Sequence, residues 1–109
     1  MVIYELREYT PTPGKLAALN KRFQDHTVDL FKKHGMGVVG FWIEEIGDAG
    51  TLVYMLSFEN LAAREKSWTG FQNDADWARI RAETDREHGP MVAGIKSRIM
   101  RPTAYSAMQ

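Results

Sequence analysis

Four segments of the chain have the length and composition of β-strands: three are rich in β-branched and aromatic side chains, and the fourth alternates apolar and basic residues. They span residues 2–9, 37–46, 51–58 and 95–101. Residues 47–50, Gly-Asp-Ala-Gly, separate the second and third segments and have the composition of a hairpin turn. The pattern therefore predicts that the second and third strands pair in antiparallel fashion.

Between the first two strands, the apolar spacing becomes that of an amphipathic helix over residues 13–34. The recurring apolar positions are Leu16, Leu19, Phe23, Leu30 and Phe31. Thr12 is the expected N-cap, with Pro13 at the first helical position. Gly35 can adopt the left-handed conformation that commonly ends a helix, so we expect the helix to stop there.

A second helical stretch runs from residue 60 to about residue 85, but Gly70 and the polar residues 72–74 interrupt it. Glycine weakens a helix interior, and short polar side chains favour helix ends. We therefore expect two helices here, the second capped by Asn73 or Asp74.

The order of elements is therefore β-α-β-β-α-β in one domain that spans residues 1–109. A crossover helix makes the first two strands parallel, and the hairpin reverses the third. If the third strand lies between the first two, the sheet is antiparallel with both helical regions on one face. This α+β arrangement is the ferredoxin-like fold.

The two faces of the predicted sheet carry different side chains. The first strand places Val2, Tyr4 and Leu6 on one face and Ile3, Glu5, Arg7 and Tyr9 on the other. The third strand is apolar on both faces, but one layer of helices can cover only one of them. A second copy of the chain is the simplest cover for the other face, so we expect a homodimer.

Charge and composition narrow the functional classes. The chain has 14 basic and 14 acidic residues spread along its length, which argues against nucleic acid as a partner. It has no cysteine, which excludes disulfides, a thiol nucleophile and zinc-cysteine sites. Its apolar runs are too short for membrane insertion, and no basic-apolar signal segment precedes the first strand. We expect a soluble, cytoplasmic protein.

Arg7 is the most informative polar residue, because its strand position can point it into the interior of a barrel. An unpaired charge there would be strongly destabilising. Arg7 must meet a carboxylate, either Glu5 on its own face or Glu44 or Glu45 nearby, or else an anionic ligand. In the second case, Arg7 and Arg98 hold the acid or enolate group of a small substrate.

His34 has two possible roles. At the end of the predicted first helix, a histidine has a sufficient structural role. If its ring instead faces a cleft at the mouth of a strand, it is suited to act as a general base. Tyr9, Trp42 and Tyr54 would line that cleft, although aromatic residues on strands more often belong to the core.

The other motifs lack the context that their chemistry requires. His26, His34 and His88 show no compact metal-ligand spacing, so we expect no metal site. Residues 35–40 match G-x-G-x-x-G, but they follow a helix and open a strand, the reverse of a dinucleotide site. No Gly-x-Ser-x-Gly elbow or Walker loop is present. We expect no cofactor.

Four segments, in their order and spacing, resemble the NIPSNAP family. They are residues 4–10 (Tyr-Glu-Leu-Arg-Glu-Tyr-Thr), Lys33-His34-Gly35, residues 39–42 (Val-Gly-Phe-Trp) and residues 71–77 (Phe-Gln-Asn-Asp-Ala-Asp-Trp). The resemblance covers nearly the whole chain. It implies a ferredoxin-like subunit whose sheet packs against that of a second subunit in a dimeric α/β barrel. The family has no agreed reaction, so the resemblance implies no activity.

Two functions remain open. In the first, the protein is a homodimer that binds a small organic ligand in a pocket between sheet and helices. In the second, it is a cofactor-free enzyme, such as the monooxygenases, cyclases and isomerases of the dimeric α/β-barrel class, with His34 as base and Arg7 as holder of the anion or oxyanion. A haem-degrading variant would need His34 or His26 as axial ligand.

Overall fold

A computed structural model of the protein describes residues 2–109. Within them, the strands are β1 (Ile3–Pro11), β2 (Gly37–Ile43), β3 (Leu52–Phe58) and β4 (Val92–Met100). The α-helices are α1 (Leu16–Arg22), α2 (Val28–Lys33), α3 (Leu61–Gln72) and α4 (Ala75–His88). A π-helical turn, Phe23–Thr27, joins α1 to α2. No helix in this part of the chain is long and apolar enough to cross a membrane.

The strands form one antiparallel sheet in the order β2-β3-β1-β4. Its two central strands are therefore the first and third in the chain, which confirms the predicted ferredoxin-like topology. The residues of β3 alternate between fully buried and half-buried along the strand. The buried set, Leu52, Tyr54, Leu56 and Phe58, packs against the helices and defines the helix-facing side of the sheet.

The core beneath the helices is mainly aromatic. Phe23 lies 5.3 Å from Tyr54 and 5.4 Å from Phe41 between ring centroids, and the Phe41 and Tyr54 rings stack at 4.8 Å. Phe31 extends this cluster towards α3 by contacting Phe71 at 5.0 Å. Such tilted and edge-on pairs stabilise a core beyond the effect of burial alone. The cluster joins the first helical region to the sheet.

The first helix begins later than predicted. The backbone N–H of Thr12 donates to the carbonyl of Met91 at 3.0 Å, so this residue is still bonded to the segment that precedes β4. A turn closed by Lys15 N–H to Thr12 O at 2.9 Å follows, and Lys15 occupies the N-cap without a side-chain cap. The prediction of Thr12 as N-cap and Pro13 as first helical residue is therefore wrong.

The strand ends also differ from the prediction. β1 continues to Pro11, and β4 begins at Val92 because these two residues still pair beyond an irregularity at Thr10. β2 ends at Ile43, since Glu44 and Thr51 then close a loop by a 2.9 Å hydrogen bond rather than extend the ladder. A single-sequence pattern does not detect such pairings between distant segments.

The predicted break in the second helical region is confirmed at residues 73–74, whereas Gly70 lies within α3 and does not interrupt it. Asn60 Oδ1 accepts from the Ala63 N–H at 2.8 Å and caps α3, whereas Asp74 Oδ1 accepts from the Asp76 N–H at 2.8 Å and caps α4. Gly35 ends α2 with φ of +81°, as expected for a residue without a Cβ.

The second face of the sheet, here called the outer face, carries no helix. Tyr4, Leu6 and Glu8 pair on it with Ser57, Met55 and Val53 of β3. Part of it is covered by the C-terminal residues 101–109, and the Tyr4 hydroxyl donates to the Gln109 carbonyl oxygen at 2.9 Å. Trp42, also on this face, is still 51% exposed.

A buried carboxylate, Glu5, connects the sheet to the helices. Its side chain is 0% exposed and accepts hydrogen bonds from Arg64, Trp68, Ser97 and Arg7, at distances between 2.6 and 3.1 Å. Burial acts to raise the pKa of Glu5, but these donors outweigh it and lower the pKa from 4.5 to about 2. The ionised form is therefore the one that the fold stabilises.

Glu5 is expected to make the stability of the protein depend on pH. Because its folded-state pKa is below its ordinary value, its contribution is complete above about pH 4.5 and is lost as the pH falls towards 2. The free energy of unfolding should fall by about 2–3 kcal/mol across this range on account of Glu5. Urea unfolding at several pH values between about 2.5 and 6 measures this fall in the free energy of unfolding.

The Glu5→Gln variant should be less stable at pH 7 by about 3–5 kcal/mol, because two arginines lose their buried anion. Its stability should also depend less on pH than that of the wild type. The exposed Glu59, changed to Gln, is the control and should retain the wild-type profile. An equal pH dependence in Glu5→Gln and wild type would contradict this role.

Candidate functional site

A cavity of about 210 Å³ lies between the helix-facing side of the sheet and the helices. We call it the sheet–helix cavity. Its walls are formed by Arg7, Tyr9, Arg22, Phe23, Thr27, Phe31, Trp68, Phe71, Gln72, Trp77, Arg81, Val92 and Ile95. Six of these side chains are aromatic and three are arginines, and no carboxylate or imidazole within residues 2–109 lines it. The cavity therefore combines aromatic walls with basic side chains and no acidic side chain of the described residues.

The π-helical turn shapes one wall. Arg22 precedes the turn, Phe23 begins it and Thr27 ends it, and all three side chains reach the cavity. The Thr27 hydroxyl donates to the Arg22 carbonyl oxygen at 3.3 Å and so gives this backbone carbonyl of the widened turn a hydrogen-bond partner. Short π-helical segments inside α-helices are frequent at functional sites. Here the turn brings a charged and an apolar side chain to the same wall.

Arg7 reaches the cavity from β1 and is held by three acceptors. It donates to Glu5 Oε2 at 3.0 Å, to the Tyr54 hydroxyl at 2.8 Å and to the Tyr9 hydroxyl at 3.1 Å. Its guanidinium carbon lies 4.5 Å from the centre of a Trp68 ring. The expectation that Arg7 meets Glu5 is confirmed, whereas Glu44 and Glu45 lie in the distant β2–β3 loop.

Tyr9 and Tyr54 form a hydroxyl chain behind Arg7. The buried Tyr54 donates to the Tyr9 oxygen at 2.9 Å, and burial raises the pKa of Tyr54 well above 10. The Tyr9 oxygen thus accepts from both Tyr54 and Arg7, which leaves its own proton to donate elsewhere. Tyr9 lines the cavity, and Tyr54 lies in the layer beneath it.

Arg22 is a wall residue that the sequence interpretation missed. It is 8% exposed, its Nη1 donates to Thr84 Oγ1 at 3.0 Å and to Asp85 Oδ1 at 3.2 Å, and its guanidinium carbon lies 5.1 Å from the Trp77 ring centre. Burial lowers the pKa of Arg22, and the Asp85 charge only partly opposes this. The sequence contained a signal for its burial. Arg22 lies three residues after the buried Leu19, and residues three apart on a helix share a face.

The structure separates Trp42 and Arg98 from the other predicted site residues. Arg98 pairs with Leu6 in the register of β1 and β4, and its guanidinium forms an ion pair of 3.0 Å with Glu8 on the outer face. Trp42 covers Gly40 on that same face, where a Cβ on the glycine would lie 2.7 Å from the indole. The sheet therefore separates both residues from Arg7, and the hypothesis of a shared Arg7–Arg98 anion site is wrong.

His34 also lies outside the sheet–helix cavity. Its Nε2 is 2.7 Å from Asp74 Oδ2, and Lys33 Nζ bonds to the same oxygen at 2.8 Å. Hydrogen bonds from Lys33 and His34 lower the pKa of the Asp74 carboxyl well below its usual range. Asp74 also caps α4, so His34 joins the end of α2 to the start of α4. The structural role considered for His34 matches this position.

A larger cleft of about 670 Å³ lies at the end of the sheet, between residues 10–17 and the hairpin loop at 48–51. Its walls are mainly Thr, Pro, Gly and Ala, and neither an aromatic ring nor a basic side chain of the described residues lines it. Its hydroxyls and one carboxylate can form hydrogen bonds, but the described residues offer a ligand there no aromatic surface on which to stack. The smaller sheet–helix cavity is therefore the better candidate site.

No group of three potential metal ligands occurs within residues 2–109. His26 is exposed in the π-helical turn, and His88 ends α4. The arginine, tyrosine and aromatic side chains that line the sheet–helix cavity can bind an anion, donate hydrogen bonds and stack on a ring.

Comparison with known proteins agrees with this fold. The sequence profile of the NIPSNAP family matches residues 4–107. No curated protein is significantly similar to the chain in sequence.

Several solved structures share the architecture. A NIPSNAP family protein from Agrobacterium tumefaciens has a TM-score of 0.88 at 19% identity, with 100% of each chain covered. A second from the same organism, of unknown function, has a TM-score of 0.86 at 24% identity over 99% of this chain and 94% of the other. SnoaB, a cofactor-independent oxygenase from Streptomyces nogalater, has a TM-score of 0.63 at 15% identity over 96% and 98%. At these identities the similarity establishes the fold alone.

A packing role for His34 predicts a specific response to Gly70→Ala. A Cβ on Gly70 would lie 2.7 Å from His34 Nδ1, and the bond to Asp74 prevents the ring from turning away freely. We expect Gly70→Ala to lower the free energy of unfolding by about 1–3 kcal/mol. In a His34→Ala background the same change should be neutral or stabilising by up to about 1 kcal/mol, because alanine favours the helix.

Urea unfolding of the wild type, both single variants and the double variant forms a double-mutant cycle that measures this coupling. The His34→Ala variant provides the matched background. If Gly70→Ala has the same cost in both backgrounds, His34 does not pack against Gly70 and the assigned role fails.

Proposed function

The chain belongs to the NIPSNAP family, and we propose that it is a homodimeric protein that binds a small organic ligand in the sheet–helix cavity. The observation on which this proposal depends is the composition of the walls, where arginine guanidinium groups lie among aromatic rings. Small-molecule sites are typically apolar cavities with a few convergent polar groups. A volume of about 210 Å³ suits a molecule with a single ring rather than an extended cofactor.

The polar groups of the cavity are already oriented. Glu5, Tyr9 and Tyr54 fix three donors of Arg7, so little side-chain freedom is lost when a ligand binds. Trp68 and Phe71, 5.7 Å apart at an angle of 86°, provide two differently oriented aromatic surfaces. Such a preorganised wall favours a planar ligand that stacks on one ring and contacts the edge of another.

Pairing of the outer faces would complete the second layer of the fold. One helix layer covers the helix-facing side only, and residues 101–109 enclose a cavity with Tyr4, Met55 and Met100 but leave Trp42 half-exposed. Large apolar residues on an uncovered sheet face favour association. A second copy of this face would bury Trp42 and the central Val53, in the manner of a dimeric α/β barrel.

Catalysis is the second candidate function. The free proton of Tyr9 and the guanidinium of Arg7 could stabilise an oxyanion in the cavity. His34, however, cannot be the base for this site, because its ring contacts Asp74 and Gly70 rather than the cavity. Since no imidazole or carboxylate of the described residues lines the cavity, ligand binding without chemistry is the proposal that we favour.

Ligand binding should be measurable by tryptophan fluorescence. Two of the three tryptophans, Trp68 and Trp77, line the cavity, whereas Trp42 lies on the outer face. In a set of single-ring aromatic compounds, charged and neutral, we expect at least one to quench the emission of both the wild type and Trp42→Phe. Val92→Phe, which adds a ring to the wall, should weaken this binding by about tenfold, or about 1.4 kcal/mol.

Native mass spectrometry of the protein as purified provides an independent measurement, because a copurified ligand adds mass to the folded species. Circular dichroism of Val92→Phe controls for its folding. If no compound quenches the emission and no added mass is present, the ligand-binding proposal fails.

The dimer is testable at the centre of the outer face. Val53→Glu places a charge opposite Glu8 and beside Trp42, so we expect the dimer dissociation constant to rise by about tenfold or more. Ile46→Glu makes the same chemical change at a 93% exposed position in the β2–β3 loop and should leave the dimer intact. Sedimentation velocity over a concentration series measures both, and a monomeric wild type would contradict the proposal.

A further inference from the structure

The Arg22 guanidinium contains a buried donor without an acceptor. Its Nε lies out of solvent contact and makes no hydrogen bond within residues 2–109. Buried N–H groups are nearly always paired, because an unpaired one loses its hydration without compensation. Both side-chain hydrogen bonds of Arg22 leave from Nη1 towards α4, to Thr84 and Asp85. Arg22 also lines the sheet–helix cavity, so a shift of its guanidinium towards the cavity would bring this unpaired donor to a ligand there.

The positive charge around Arg22 is only partly neutralised. Asp85 is the carboxylate within salt-bridge distance of Arg22, at 3.2 Å, and it also pairs with Arg81 at 3.9 Å. One acidic group therefore serves two arginines, both of which line the cavity. At the Arg7 side, Glu5 accepts from Arg7 and from Arg64, but Arg64 does not line the cavity and also pairs with Glu65. The excess of positive charge thus lies at the Arg22 end of the cavity.

An aromatic surface lies beside the free donor. The Trp77 ring centre is 5.1 Å from the Arg22 guanidinium carbon, and Trp77 contacts Phe71 at 4.8 Å with an angle of 31° between the rings. A ligand whose anionic group meets Arg22 would therefore place its remaining atoms against these rings. Hydrogen bonds to a charged group are about twice as strong as neutral ones, so a carboxylate suits this donor better than a carbonyl.

We propose that the sheet–helix cavity binds a small aromatic carboxylate, with the acid group accepting from Arg22 Nε and the ring packed against Trp77 and Phe71. This inference rests on the ligand-binding function proposed above and specifies its ligand class. It also assigns Arg22 as the residue that distinguishes an acid from a neutral molecule of the same shape. This site differs from the Arg7–Arg98 site predicted from the sequence. Arg22, Trp77 and Phe71 all lie on the helix-facing side of the sheet.

Benzoate and benzamide, measured by isothermal titration calorimetry, test the inference in the full-length protein. The two probes have similar shapes but differ in charge. We expect benzoate to bind about 10-fold or more tightly than benzamide, the effect of one charge-assisted hydrogen bond. Equal affinities would overturn the assignment of an acid ligand and leave the ligand-binding function standing. Failure of both probes to bind would overturn the inference, whereas the proposed function would fail only if the fluorescence and mass measurements described above were also negative.

The Arg22→Met variant removes the donor and retains an unbranched side chain that can pack on Trp77. We expect it to bind benzoate about 10-fold more weakly and benzamide unchanged. Arg79→Met is the matched control, because Arg79 is on the same helix as Arg81, is 57% exposed and does not line the cavity. Unchanged benzoate affinity in a folded Arg22→Met would overturn the proposal, as would an equal loss in Arg79→Met.

A direct measurement does not depend on the stability of any variant. In ¹⁵N-labelled wild-type protein, the Nε–H resonance of Arg22 should move downfield when benzoate is added, because the proton gains an anionic acceptor. Benzamide should move it less. The resonance is assigned by Arg-selective labelling and side-chain correlation in the wild type. No movement of this resonance at saturating benzoate would overturn the contact with Nε.

Discussion

The buried carboxylate of Glu5 is the interaction on which the other polar contacts of this protein depend. A charge at the centre of a sheet is tolerated only if nearly all of its acceptor capacity is used, and donors from β1, β4 and α3 use it. The same contacts determine the position of Arg7, because one of its nitrogens bonds to Glu5. Arg7 in turn positions Tyr9 and Tyr54. The wall of the cavity is therefore organised from a residue that does not line it.

The two arginines deepest in the cavity wall differ in how completely they are satisfied. Arg7 has a carboxylate, two hydroxyls and an indole around it. Arg22 has one carboxylate and one hydroxyl, both bonded to Nη1, and retains an unpaired Nε. A fully satisfied arginine contributes to the structure without needing a ligand, whereas an incompletely satisfied one gains from an anion. The positive charge of the cavity is therefore unevenly neutralised, and the least neutralised arginine, Arg22, lies next to the π-helical turn.

His34 and Asp74 illustrate why residue type alone is weak evidence for catalysis. A histidine bonded to a carboxylate resembles a general base with its orienting partner. Here, however, the carboxylate also caps α4 and accepts from Lys33, and the ring packs on Gly70. Each of these contacts joins the ends of helices. The pair is explained by helix packing, and the chemistry of the cavity depends on other residues.

The sequence by itself determined the features that arise from local interactions. Strand alternation, the glycine stop at Gly35 and the broken second helix depend on neighbours a few residues apart, and chain connectivity then allowed the antiparallel order to be inferred. The Arg7–Glu5 pair was also predictable, since residues two apart on a strand share a face. Tertiary structure alone decided which face of each later strand meets the helices. Arg98 lies on the outer face because β4 pairs with β1 in one register, and Arg22 is buried because α4 packs over it. Alternation specifies that faces differ, but only contacts between distant segments specify which face is which.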